Sequence, residues 1–383
     1  MISLSEPFIN KSDLKYLFDV VKSKILTDGK YQKKSELLIK KIIKSNYIAV
    51  THSCTAALEI SAILLNLKKG DEVIMPSYGF VSISNAVVLR GAKPIFVEVN
   101  PNTLNICVED LEKKITKKTV AIYIIHYSGH SCDMEKLLSL KKKYNLYLIE
   151  DSAHAFLAKH KNRFLGTIGD IGVFSFHETK NLTCGQGGCI SINNKNLIKR
   201  ANYILDKGTN RRDFITNYRK KIIKTSNSKK YYSWVDLGSE YRASELSSAI
   251  LYSQLKKIKI IQKKRKFFWE KYKKLFNELN SKEFTLVEPL KFTSSSYHLV
   301  AIIFKNIKLC NNFKKYLQKK NIAATFHYVP LHNSKMGRLV NKKRLTTTEN
   351  LYKRVVRLPL FPGMKNQEFN KIKKEVKSFF KAI

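Results

Sequence analysis

Seven short, β-rich apolar runs alternate with amphipathic stretches through the first two-thirds of the chain, and nothing else in the sequence constrains the fold as strongly. The runs are YIAV (47–50), EVIM (72–75), PIFVEV (94–99), VAIYII (120–125), LYLIE (146–150), GVFSF (172–176) and GCISI (188–192). Helical patterns such as AALEISAILLNL and EKLLSLKKKY lie between them. Such alternation implies right-handed crossovers, so it predicts an α/β fold: a mainly parallel sheet with helices on both faces, in three αβα layers. From about Tyr241 the texture changes to one Lys-rich helical stretch, SELSSAILYSQLKKIKIIQKKRKFFWEKYKKLFNEL, followed by short runs such as LVAIIF (299–304) and NFKKYLQKKN (312–321). We therefore expect a large domain over 1–240 and a smaller C-terminal α/β domain over 241–383, entered through a long bridging helix.

In such a sheet, ligands gather at the carboxyl ends of the strands, and four stretches there carry chemistry. The turn THSC opens the helix TAALEISAILL, and the free NH groups at such a helix start, aided by hydroxyls, suit a phosphate; the same hydroxyls also cap helices that bind nothing. MPSYGF puts Tyr78 and Phe80 after a strand end, where a ring either stacks on a flat ligand or joins the core. LYLIEDSAHA delivers Asp151 from a buried strand, with His154 behind it. A carboxylate in that position needs a cation, such as a protonated heterocycle, unless it only caps the next helix.

The fourth stretch, FSFHETKNLTC, places Lys180 just past an apolar strand and ahead of Gly185, Gly187 and Gly188. A lysine desolvated in a cleft loses its proton and attacks carbonyls, forming a Schiff base. Among 59 lysines, most are solvated surface; context sets this one apart. A phosphate cradle, a stacking ring, an acid for a ring nitrogen and a carbonyl-seeking amine together match what pyridoxal phosphate asks of a protein.

The formal net charge of +41 raises nucleic acid as a partner. Only 12 of the 71 basic residues are arginine and the lysines are dispersed among Ile and Asn, a compositional drift rather than a phosphate-binding stripe. The densest stretch, Tyr218–Lys230, reads as an exposed basic loop. Six cysteines without CxxC or Cys/His spacing argue against a metal site and for a reducing compartment. No leader pattern and no membrane-length apolar run are present, so the expectation is a cytoplasmic protein with small-molecule substrates and neither nucleic acid nor membrane as partner.

The stretches THSCTAALE, GDEVIMPSYGFVSISNAVVLRGAKPIFVEV, EDSAHA, LGTIGDIGVFSFHETKNLTCGQGG, KGTNRRDF, FHYVPLH and RLPLF resemble, in this order, the sugar-nucleotide aminotransferases of fold type I. The wording comes nearest to transaminases that make a dTDP-linked 4-amino-4,6-dideoxygalactose for cell-surface polysaccharide. The resemblance implies that Lys180 holds the cofactor aldehyde and shuttles protons, and that Asp151 pairs with the pyridine nitrogen. It further implies Phe80 stacked on the ring, His154 beside it, and Cys54, Thr55 and Ser175 on the phosphate. Glutamate as donor, a nucleotide-linked 4-keto-6-deoxyhexose as acceptor and a homodimer also follow from it. Thr325, His327, Tyr328 and His332 are candidates for the sugar. Where many relatives carry an asparagine that reaches the partner's cofactor phosphate, this chain has Glu240, and that role is not carried over. His177 and Glu178 are left without a role. Two other readings are a non-catalytic protein of this fold that binds a sugar nucleotide, and a transaminase giving the gluco epimer.

Overall fold

The computed structural model describes residues 1–219, 231–341 and 343–382; the basic stretch noted above lies outside the described residues from position 220 to 230. Seven strands form the main sheet: β1 (Ile48–Thr51), β2 (Glu72–Pro76), β3 (Lys93–Val97), β4 (Thr119–Ile125), β5 (Tyr147–Asp151), β6 (Ile171–Ser175) and β7 (Gly188–Ile192). Their order across the sheet is β1-β7-β6-β5-β4-β2-β3. Each falls within a residue or two of an apolar run read from the sequence. The strands are buried almost throughout, as expected for a sheet covered on both faces.

Alternation decides which face each side chain meets. Along β4, Ala121 and Tyr123 pack with Ala57, Ile60 and Leu64 of helix α1 (Cys54–Leu64), whereas Ile122 and Ile124 pack with Leu137 and Leu140 of helix α2 (Met134–Lys143). Strands β2 to β6 run parallel, but β7 pairs antiparallel with both β1 and β6. Parallel neighbours need a crossover of a dozen or more residues, usually helical. The link from Phe176 to Gly187 holds no helix, so the chain turns straight back. That leaves the loop bearing Lys180 lying over the strand ends.

The single bridging helix expected from the sequence is two helices, α3 (Glu245–Lys256) and α4 (Ile258–Leu279), broken at Lys257. Lys257 Nζ is held 2.6 Å from the buried Asp13 carboxylate, and its backbone leaves helical geometry (ψ 1°). Leu251 and Leu255 of α3, and Ile258 and Ile261 just past the break, pack with Ile39 and Val50, while Phe268, Trp269, Tyr272 and Phe276 further along α4 pack under a second sheet.

That second sheet is antiparallel, in the order β8 (Phe284–Leu286), β9 (Val300–Phe304), β10 (Val355–Leu358). One face, with Val300, Ile302, Phe304, Val356 and Leu358, covers the core of the C-terminal lobe, which Ile2 also enters. The opposite face turns to the large lobe: Leu299, Ala301, Ile303 and Val355 pack against Tyr78, Val99 and Tyr127. The carboxyl ends of the main strands are thus roofed by the second sheet. No helix among the described residues is long and apolar enough to cross a membrane.

Candidate active site

A cavity of about 620 Å3 lies between the strand ends and this roof. On its floor, β1 passes into α1 through Ser53, whose hydroxyl accepts the Ala56 NH (3.0 Å) and whose carbonyl accepts the Ala57 NH (3.3 Å). The NH groups of Cys54 and Thr55 are the first-turn donors left for an anion, at the positive end of the helix. Gly188 makes this possible. A Cβ there would stand 2.4 Å from the Cys54 nitrogen and 2.5 Å from the Ser53 carbonyl carbon, so only glycine lets β7 pass the turn. Ser175, at the end of β6, lines the same cavity with Gln186 and Gly187.

Asp151 ends β5 and is 8% exposed, its Oδ1 accepting the Ala153 NH at 3.0 Å. Burial pushes its carboxyl up, while the Ala153 NH and the charge of Lys180 pull the other way. Burial draws the Lys180 amine down to about 8, against the opposing pull of Asp151 and Cys54 and with a further push from Arg357. Both residues line the cavity, and among the described residues neither makes an ion pair. A buried carboxylate and a partly desolvated amine thus face a shared space without neutralising each other.

The roof contributes His298, His327, Tyr328 and Arg357. His154, from the large lobe, stacks on His298 with ring centroids 4.2 Å apart, and His327 stacks on Tyr328 at 3.7 Å. Burial, with the nearby Lys180 and Arg357 charges, holds all three histidines well below their ordinary range, so they are neutral. The Asn181 amide donates from Nδ2 to the Ser296 carbonyl (2.7 Å), which turns its Oδ1 to His298 Nδ1 (2.8 Å). His298 therefore carries its proton on Nδ1 and leaves Nε2 as an acceptor. The Nδ1 of His154 is buried with no protein partner.

Of the residues singled out in the sequence, Cys54, Thr55, Phe80, Asp151, His154, Ser175, Lys180, His327 and Tyr328 converge on the cavity. Phe80 is 58% exposed on its wall. His177, also on the wall, bonds through Nδ1 to Thr179 Oγ1 at 3.1 Å. Thr325 and His332 are placed elsewhere. Thr325 exchanges backbone hydrogen bonds with Arg357, and the His332 ring lies between Ser77 Oγ (2.6 Å) and Glu349 Oε1 (3.3 Å). Glu240 is ion-paired with Lys207 beside another cavity, lined also by Arg211 and Arg242. Sequence reasoning missed His298, Gln186 and Arg357. For Arg357 a signal existed, a lone cation inside the apolar run VVRLPLF.

Residues 7–377 match the family model described as the DegT/DnrJ/EryC1/StrS aminotransferase family. The chain belongs to this family. An uncharacterized protein of Methanocaldococcus jannaschii is 34% identical over 370 residues, covering 94% of this chain and 93% of its own. GDP-perosamine synthase of Escherichia coli O157:H7 is 29% identical over 380 residues, covering 99% and 98%. The solved structure of Helicobacter pylori PseC, an aminotransferase involved in pseudoaminic acid biosynthesis, superposes with a TM-score of 0.88 at 26% identity and covers all of both chains. This family member is accordingly a sugar aminotransferase of nucleotide-sugar biosynthesis, and the family implies pyridoxal phosphate. The cavity suits that group: a helix start closed in by Gly188, an acid without a cation, an orphaned His154 nitrogen and an exposed aromatic wall.

Proposed function

We propose that the protein transfers an amino group from glutamate to C4 of a nucleotide-linked 4-keto-6-deoxyhexose, with dTDP as the first nucleotide to test. The observation that carries this reading is Lys180 and Asp151 facing one cavity beneath an open helix start. Pyridoxal phosphate, when bound, supplies an aldehyde that takes up amines and a ring that withdraws electrons from the adjoining carbon. The NH groups of Cys54 and Thr55 and the hydroxyl of Ser175 would hold its phosphate. Asp151 would keep a proton on its ring nitrogen, relieving the cost of that carboxylate's burial. Phe80 would cover one face of the ring and His154 would lie beside it.

Lys180 Nζ, held near 8, exists in both protonation states close to neutral pH, which suits a group that takes a proton from one carbon and returns it to another. The neutral histidines of the roof leave Lys180, Arg357 and Asp151 as the charges around the reacting atoms. His327 and Tyr328 would meet the sugar. We take the working unit to be a homodimer, and the large and small lobes to be its two domains, with α3 on the large-lobe side because Leu251 and Leu255 pack in that core. The resemblance of the motifs and the sugar-amine names of the relatives support the substrate class.

The test is spectral. Protein loaded with pyridoxal phosphate should lose its visible absorbance on addition of glutamate and regain it on addition of dTDP-4-keto-6-deoxyglucose; the C4 configuration of the product then separates galacto from gluco. Failure to bind the cofactor rejects the reading. Absorbance untouched by every amino donor would instead favour a sugar-nucleotide-binding protein.

A further inference from the structure

The stretch from Ser295 to His298 is wedged between the lobes and held from three sides. Ser296, with no exposed surface, donates its hydroxyl to the His154 carbonyl and its NH to the Gly129 carbonyl (3.2 Å). The buried Arg265 donates from Nε to the Tyr297 carbonyl (2.9 Å) and from Nη2 to the His298 carbonyl. From the floor, Asn181, the residue after Lys180, spends Nδ2 on the Ser296 carbonyl (2.7 Å) and Oδ1 on His298 Nδ1 (2.8 Å). A carbonyl only accepts, so the amide has one orientation and Nδ1 must carry the ring's proton. Nε2 is then a lone-pair acceptor. Among the described residues it has no partner, and the ring lines the cavity. Burial and the charges of Lys180, Arg265 and Arg357 keep a second proton off it.

An acceptor fixed in this way selects what sits against it. Carboxylate and phosphate oxygens present lone pairs and are turned away. Glutamate's only proton donor is the amine that reacts. A sugar, by contrast, carries hydroxyl groups. His298 stacks on His154 and feels the charge of Lys180, which puts it near the reacting carbon rather than out at the nucleotide. In a 4-keto-6-deoxyhexose the hydroxyl next to that carbon is the one on C3. We propose that His298 Nε2 accepts the C3 hydroxyl of the ketosugar, which makes His298 a specificity-determining residue, and that Asn181 is the positioning residue that fixes its tautomer. The inference rests on the aminotransferase reading above and adds to it how the acceptor is recognised.

The experiment follows, spectrally, the reaction of amine-loaded protein with dTDP-4-keto-6-deoxyglucose and with its 3-deoxy analogue, dTDP-4-keto-3,6-dideoxyglucose. Wild type should use the 3-deoxy sugar about 10- to 100-fold less efficiently, the cost of leaving a buried acceptor unpaired. His298→Asn keeps a donor for Asn181 and removes Nε2. It should lose about the same factor on the hydroxylated sugar and separate the two sugars by no more than about threefold. Asn181→Ala should lose about 10-fold on the hydroxylated sugar, while its reaction with the 3-deoxy sugar stays within about threefold of wild type. A loss falling on both sugars alike would make Asn181 merely structural and overturn its part. Should either variant fail to fold, the wild-type ratio still decides.

A wild type indifferent to the C3 hydroxyl overturns the proposal. So does a His298→Asn protein that discriminates as wild type does, or one whose bound cofactor absorbs differently or is held less tightly, which would give Nε2 to the hydroxyl on the cofactor's own ring. Each leaves the aminotransferase reading standing. A wild type that takes the amine from glutamate and reacts with neither sugar removes the proposed acceptor and this inference with it; one that takes no cofactor removes the whole reading.

Discussion

The floor of the cavity is assembled from the carboxyl ends of parallel strands, so that Asp151, Ser175 and Lys180 arrive there from separate segments because the topology delivers them. The roof comes from one face of an antiparallel sheet and its flanks, where His298 and Arg357 take positions that alternation would give to core residues. The floor holds opposite charges without joining them; the roof holds neutral rings and one cation without a counter-ion. The two walls divide the work: the floor is suited to a cofactor present throughout, the roof to substrates that come and go. Substitutions on the two walls should therefore fail differently.

The largest effect belongs to the floor. Lys180→Ala should lower turnover by at least about 10⁴-fold without lowering the Tm of the protein free of cofactor, since it removes a desolvated amine that has no ion pair. Asp151→Asn should follow, with a fall of about 10²- to 10³-fold in the glutamate half-reaction. It carries a pH signature as well. With Lys180 in its proposed role, its neutral fraction sets how fast the amine captures the cofactor aldehyde, so capture by wild type should rise about tenfold per pH unit below about 8 and level off above it. Asp151 holds the amine's pKa up, so in Asp151→Asn the levelling should come at lower pH. A plateau moved upward, in stopped-flow capture between pH 6 and 9, would contradict the opposition of these charges.

Gly188→Ala comes next. Its Cβ, 2.4 Å from the Cys54 nitrogen, must displace the helix start. Calorimetry should show cofactor affinity down by about 10-fold, and denaturation a loss of about 1–3 kcal/mol. The smallest catalytic effect is expected of His332→Ala, which breaks the Ser77 and Glu349 contacts outside the cavity. Stability should drop by about 1–2 kcal/mol with both half-reactions unchanged. A loss of sugar reactivity at constant Tm would return His332 to the site.

The two walls also differ in how far the sequence discloses them. Short apolar runs and the strand-end rule expose Cys54, Phe80, Asp151 and Lys180, because each lies beside a break between two periodicities. The antiparallel return of β7 shows in the same stretch only as the absence of a helix between GVFSF and GCISI. No such break marks the roof. Arg357 and His298 sit in or next to strands, and in a chain with 71 basic residues one further arginine draws no notice. The kink at Lys257 is hidden for another reason: the helical pattern runs on unbroken, and the contact that holds the lysine comes from Asp13, 244 residues away. His332 looks like a ligand by composition, but Ser77 and Glu349 meet its ring only in the folded chain.

One lysine among 59, Lys180, is proposed to hold the cofactor. Borohydride reduction of the protein loaded with pyridoxal phosphate, followed by peptide mass mapping, tests it directly. The phosphopyridoxyl mass should appear on the peptide containing Lys180, and should disappear when glutamate is added before the reductant. A label spread over other lysines, or a Lys180→Ala protein labelled as fully as wild type, would contradict it.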